Sequence, residues 1–176
     1  WTYSDQSASG SVIATADGCK ECYLYRDDGY AVLSNDGGAT FRQLTSLGAQ
    51  SWRDIDVSSD GTKIVFFTAT GFYYSLNSGT DFTRVDALPV NYISLGRYIY
   101  AGAMSNDGTK ITIGTRSGFI TQFTYSSSTR RWNAGTWLQL STQQDVTDIA
   151  INSDGSKSFI ASDYGGLTFF NGSAQS

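Results

Sequence analysis

Short runs of β-branched and aromatic residues alternate with turn signals along the whole chain. Trp52 to Val57, Ile99 to Met104 and Val146 to Ile151 each precede an Asp-Gly pair. Ile64 to Thr68, Ile111 to Thr115 and Phe159 to Ser162 follow those pairs. Asp-Gly joins strands because glycine accepts the positive φ that a tight hairpin demands. After a second glycine (Gly71, Gly118, Gly165) comes a third run, beginning at Phe72, Phe119 and Leu167. Fourth runs follow at Phe41 to Leu44, Phe82 to Val85 and Trp137 to Leu140. No stretch carries the apolar spacing of a helix.

The pattern is periodic. Ser59-Asp60-Gly61-Thr62-Lys63 returns as Asn106-Asp107-Gly108-Thr109-Lys110 and again as Ser153-Asp154-Gly155-Ser156-Lys157, each time 47 residues on. The second glycines keep the same step. A first copy is more diverged: Trp1 aligns with Trp52 and Gly10 with Gly61, and an insertion around Cys19 to Asp28 lengthens one loop. Four antiparallel strands in about 45 residues is the length of a propeller blade. The prediction is an all-β, β-propeller domain of four blades, at roughly 1–47, 48–90, 91–142 and 143–176. A β-sandwich carries turn signals at similar intervals, but it does not require one loop signature at a fixed period.

One stretch holds a recognisable motif. Ser34-Asn35-Asp36-Gly37-Gly38-Ala39-Thr40-Phe41 resembles the Asp-box, Ser-x-Asp-x-Gly-x-Thr-Trp, with Phe for Trp. Ser75 to Phe82 looks like a degraded copy, and the third repeat has lost it. The Asp-box family includes sialidases, other glycoside hydrolases, photosystem assembly factors and sortilin-type receptors. The resemblance implies a structural hairpin built by Ser34, Asp36, Gly38, Thr40 and Phe41, away from any active site. Asp36 then accepts bonds from nearby backbone N–H groups, Gly38 permits the bend, and Phe41 anchors the hairpin in the core.

On the repeat alignment, Ser176 falls opposite Phe82, so the last blade is expected to lack its outer strand. An open edge invites pairing with another chain. Three arrangements satisfy this: part of a larger propeller, copies that complete one another, and a small four-bladed ring. The expected partners are therefore other copies of the chain or the remaining blades of a longer one.

Composition narrows the chemistry. Charged residues are only 16% and the net charge is −4, with a pI near 4.6. A phosphate-backbone partner needs a basic patch, so no nucleic acid is expected. No apolar run has the roughly 18 residues of a membrane span. There is no His, which removes the commonest general base and the most frequent zinc ligand. No metal, no cofactor and no catalytic group is assigned. Carboxylates such as Asp54, Asp56, Asp145 and Asp148 could serve glycoside hydrolysis, but no spacing singles out a pair. A sialidase would need an arginine cluster and a nucleophilic Tyr with an acidic partner, and its Arg-Ile-Pro type motif is absent.

Cys19 and Cys22 read as a local loop disulfide, which would place the protein in an oxidising, extracellular compartment. Asn171-Gly172-Ser173 is an N-glycosylation sequon. In propellers, loops between second and third strands share one face with the connections between blades. Here those segments offer Tyr23, Arg26, Asp27, Asp28, Trp52, Arg53, Tyr92, Arg97, Arg116, Asp163 and Tyr164 as candidate ligand contacts. Aromatic faces beside charges suit sugars, and they suit proteins equally well. The expected function is a non-catalytic extracellular binding or scaffold module for glycans or proteins. The alternative is a fragment of an Asp-box glycoside hydrolase.

Overall fold

The computed structural model describes residues 3–16, 29–140, 144–163 and 166–171. They form four antiparallel sheets, as the periodic turns predict. The first contains β1 (Tyr3–Gln6), β2 (Ile13–Ala16), β3 (Ala31–Ser34) and β4 (Arg42–Gln43), neighbours in that order. The second contains β5 (Trp52–Val57), β6 (Ile64–Thr68), β7 (Gly71–Ser75) and β8 (Thr83–Asp86). The third contains β9 (Ile99–Met104), β10 (Lys110–Thr115), β11 (Phe119–Ser126), β12 (Arg131–Ala134) and β13 (Leu138–Gln139). The fourth contains β14 (Val146–Ile151), β15 (Ser158–Ser162) and β16 (Gly166–Phe170). Each sheet is a meander of consecutive strands, which is how a propeller blade is built. The chain divides into two compact units, Trp1–Asp86 and Ala87–Ser176, each holding two sheets.

In the first unit, small residues of the first sheet meet large ones of the second. Ala14, Ala16 and Ala31 share one buried cluster with Trp52, Ile64 and Phe66. The alanines leave room for the Trp52 and Phe66 rings, whose centroids lie 5.4 Å apart. Each fully buried ring of this kind contributes about 1.5–3 kcal/mol by leaving water. The second unit joins its sheets through Ala101, Ile120, Val146, Ile160 and Phe170, and through a buried hydrogen bond between Thr112 and Ser158, 2.9 Å long.

The Asp-Gly turns share one hydrogen-bond set. Ser58 Oγ donates to Asp60 (2.7 Å), which accepts from the Thr62 N–H (2.9 Å), while the Lys63 N–H donates back to Ser58 Oγ (2.9 Å). Ser105, Asp107, Thr109 and Lys110 repeat it. Asn152, Asp154, Ser156 and Lys157 follow the same plan, with an amide oxygen for the hydroxyl. The turns also join neighbouring sheets: the Ala8 N–H donates to Ser59 O (3.0 Å), and the Asn106 N–H to Ser153 O (3.1 Å). Gly61 has φ +73°, and a Cβ there would lie 2.6 Å from Val12 Cγ2.

The Asp-box-like turn behaves likewise. Asp36 accepts from the Thr40 N–H (2.9 Å), from Thr40 Oγ1 (2.5 Å) and from Ser34 Oγ (2.7 Å), and Ser34 Oγ accepts from the Gly38 N–H. The expectation for Phe41 needs correction, because its ring is 50% exposed rather than a core anchor. Its counterpart Phe82 packs on Phe66, 5.6 Å away, where the first sheet covers the second.

Two other features differ from the sequence reading. A single helical turn, α1 (Val90–Ser94), follows Pro89, too short to leave a periodic signal. The fourth strand of the third sheet is split. β12 pairs with the far end of β11, and β13 pairs with its beginning. The eight-residue β11 is long enough to carry both.

Hydrogen bonds to the ionised carboxylates, those from Thr40 and Ser34 and those from Ser58 and Thr62, lower Asp36 and Asp60 from the ordinary 3.8 to about 2. The folded value lies below the unfolded one, so the stabilisation is full above the ordinary range and is lost as pH falls through about 2. Thermal melting should therefore drop between about pH 4 and pH 2, and Asp60→Asn should flatten part of that slope. Gly61→Ala should cost about 1–3 kcal/mol in denaturant unfolding, through the positive φ and the Val12 contact.

Candidate ligand-binding site

Three strand beginnings carry the same irregularity. Register shifts fall between Trp52 and Asp54, between Ile99 and Ala101, and between Val146 and Asp148. The extra residues are Arg53, Tyr100 and Thr147. Trp52, Ile99 and Val146 just before them are fully buried and hold each bulge in place. Bulges of this kind re-aim side chains and are common beside functional sites.

In the second unit this end of the sheets gathers several candidate residues. The β10–β11 turn (residues 116–118) is tied to its neighbours by backbone bonds. The Arg116 N–H donates to Tyr98 O (2.8 Å), and the Leu140 N–H donates to Gly118 O (2.7 Å). Asp145 organises the turn. It accepts from the Ser117 N–H (2.8 Å) and lies 3.4 Å from Arg116 Nε, and its carbonyl accepts from the Asp163 N–H (3.0 Å). Ser117 has φ +67°, a left-handed conformation that the Asp145 bond supports.

Beside this turn stand three rings. Tyr92 lies 5.0 Å from Phe119, edge-on, and 5.1 Å from Trp137. The Arg97 guanidinium sits over Phe119 at 4.3 Å and near Tyr92 at 5.2 Å. The Arg97 N–H donates to Tyr92 O (3.0 Å), which fixes the backbone under the side chain. Trp137 reaches the cluster because the β12–β13 strand is interrupted at residues 135–137. There the Gly135 N–H donates to Gln122 O (2.7 Å) and its carbonyl accepts from Thr121 Oγ1 (3.1 Å).

Of the residues chosen from sequence, Tyr92, Arg97, Arg116 and Asp163 therefore come together. Trp52 is fully buried, with its indole N–H donated to Gly29 O (2.8 Å), so it is a core residue rather than a ligand contact. Arg53 is also buried, at the bulge. Asn171 is exposed just after β16. Tyr23, Arg26, Asp27, Asp28, Tyr164, Cys19 and Cys22 lie outside the described residues. Sequence reasoning missed Trp137 and Phe119, which it placed as strand residues, and it saw Asp145 only as a loop carboxylate.

A second group lies in the first unit, where Tyr3 sits near Asp54 and Arg53. Burial foremost, then the Asp54 charge, raises the Tyr3 phenol to about 12, with Arg53 opposing. Its buried oxygen has no hydrogen-bond partner among the described residues. At neutral pH this phenol stays protonated. Among the described residues no three His, Cys, Asp or Glu side chains converge to hold a metal ion. No described helix is long and apolar enough to cross a membrane.

No family model matches the chain. No curated protein matches it either. Solved structures do. The chain is similar to a GH74 enzyme of Niastella koreensis, with a TM-score of 0.64 and 18% identity over 99% of this chain and 23% of that one. It is also similar to YCF48 bound to a D1 peptide, with a TM-score of 0.54 and 15% identity over 86% of this chain and 46% of that one. The chain thus spans less than half the length of either protein. At such identities the likeness concerns the fold, and with four antiparallel blade sheets it makes this chain a β-propeller protein.

Proposed function

We propose that this chain is a non-catalytic extracellular binding module, whose site around Tyr92, Phe119 and Trp137 takes a protein or glycan ligand. The observation that carries this is the ring cluster itself. Tyr92, Trp137 and a stacked Arg97, all partly exposed over the buried ring of Phe119, form a pre-organised surface of the kind that dominates binding energy. The clamped 116–118 turn adds rigidity, which lowers the entropy cost of binding. The similar YCF48 structure holds a D1 peptide, which is consistent with a protein ligand. A Cys19–Cys22 disulfide and a sugar on Asn171 belong to the same extracellular reading, and kinship with the Asp-box family is supported by the Ser34–Asp36–Thr40 turn.

The scaffold part of the proposal is association with another copy of the chain. Phe41 is half exposed on the first sheet, and Phe159 and Leu167 are 52% and 72% exposed on the fourth. Apolar faces of this kind are covered between paired sheets within each unit, so blades of the same repeat suit them.

A second reading, a fragment of a glycoside hydrolase, is supported by the likeness to the GH74 enzyme, with Tyr3 near Asp54 and Arg53 as its candidate group. Turnover of a chromogenic sialoside that disappears in Tyr3→Phe would establish it and displace the first.

On peptide and glycan arrays the protein should bind a defined set of ligands. Trp137→Ala should weaken that binding about tenfold or more while melting like the parent. Silence on both arrays sinks the binding reading. In sedimentation, the double variant Phe159→Ser, Leu167→Glu should shift associated protein toward monomer; an unchanged distribution removes the scaffold part.

A further inference from the structure

Arg84 and Arg97 both lie over aromatic rings, and their edges differ. Arg84 lies 5.4 Å from the Tyr73 centroid. Its fork is spent inside the protein: Nε donates to Asp86 (2.8 Å), and the two terminal nitrogens donate to Tyr73 Oη (3.2 Å) and Thr70 Oγ1 (3.0 Å). Arg84 is therefore a strut between β7 and β8.

Arg97 is held the same way but spends nothing. It stacks closer, at 4.3 Å over Phe119 with Tyr92 at its side. Among the described residues no hydrogen bond or ion pair engages its guanidinium. It remains partly exposed. Contact with the rings holds the guanidinium through its carbon and leaves its N–H donors unused among the described residues. The same contact fixes the plane and removes rotamer freedom before any ligand arrives. A planar fork of this kind matches a carboxylate with two parallel hydrogen bonds.

The surroundings select the ligand further. Arg116, the neighbouring cation, already faces Asp145, and Asp163 lies on the same turn system. With Arg116 facing Asp145, the Arg97 fork presents one positive charge, which matches the single charge of a carboxylate. The stretch that carries Arg97 also exposes Val90 and Leu95, at 83% and 62%, together with part of Tyr98. Exposed aliphatic groups on the same stretch of chain suit apolar side chains of a peptide and offer few partners to sugar hydroxyls.

We propose that Arg97, stacked on Phe119 and Tyr92, binds the carboxylate of a peptide whose flanking apolar side chains rest on Val90 and Leu95. The inference rests on the binding reading and adds the ligand class to it. The carboxylate is a free C-terminus or an acidic side chain, and both present the same group to the fork.

The test is an NMR titration that follows Arg97 Nε–H and Trp137 Nε1–H. The probes are N-acetyl-Leu-Phe as the free acid, its C-terminal amide, and N-acetyl-Leu-Glu-Phe amide. Expected is saturable movement of both signals with the free acid or with the glutamate peptide, which separates the two carboxylate sources. The uncharged amide should bind about tenfold or more weakly. Arg97→Lys keeps the charge without the fork, and it should lose a similar factor while melting like the parent. Equal binding of acid and amide overturns the carboxylate assignment but leaves the binding reading intact. So does an unchanged affinity in Arg97→Lys. Glucuronate or inorganic phosphate moving Arg97 at lower concentration than either peptide overturns the peptide assignment. No movement with any probe overturns the inference, whereas silence of the arrays is what sinks the broader reading.

Discussion

The arrangement rests on a side-chain oxygen placed inside each turn. In three inner hairpins a hydroxyl or amide oxygen two residues before the Asp accepts the N–H at the start of the returning strand. The carboxylate accepts from the residue after the glycine. These bonds close the turn at one length, which fixes the register of the pair. Register then decides which face of each strand is apolar, because a slip of one residue inverts every side chain. The turn also carries the backbone bonds from one sheet to the next within each unit. Local hydrogen bonding and sheet packing thus depend on the same few atoms.

That dependence explains what could be read from the sequence. Asp60, Asp107 and Asp154 were visible because turn chemistry tolerates few substitutes. The first copy is harder to see, since Ser9 takes the place of Asp and its hydroxyl bonds Ser7 Oγ and Ser11. The second Asp-box-like turn looks degraded as letters, yet Asn77 accepts from the Asp81 N–H (3.0 Å) and Ser75 Oγ from the Gly79 N–H (2.9 Å). An amide oxygen serves the turn as a carboxylate does. Motif comparison weighs identity, whereas the backbone requires only an acceptor at the right place.

The site was less legible because it is made by departures from the repeat. The bulges add Arg53, Tyr100 and Thr147, which share no chemistry that a pattern would flag. Sequence pattern places Trp137 at the start of an outer strand, and the structure makes it the end of an interruption that lets it meet Tyr92. Tyr92 and Arg97 were picked out as loop residues, but nothing in their spacing indicates a ring of Phe119 beneath both. Trp52 departs in the opposite direction: its place at a blade connection suggests a contact residue, whereas burial of its ring anchors the bulge that follows.

The comparison of Arg84 with Arg97 separates structure from readiness to bind. Both guanidiniums gain from ring stacking, worth about 0.5–2 kcal/mol depending on desolvation. Removing Arg84 would strip three hydrogen bonds from the β7–β8 hairpin, so its role is satisfied within the fold. Removing the Arg97 side chain would strip none among the described residues, yet its stacking orders a long side chain at an entropic cost of up to about 2 kcal/mol. Stability alone returns little for that ordering. A carboxylate arriving in the plane of the fork would draw on it directly, since the orientation it needs is already fixed by Phe119 and Tyr92.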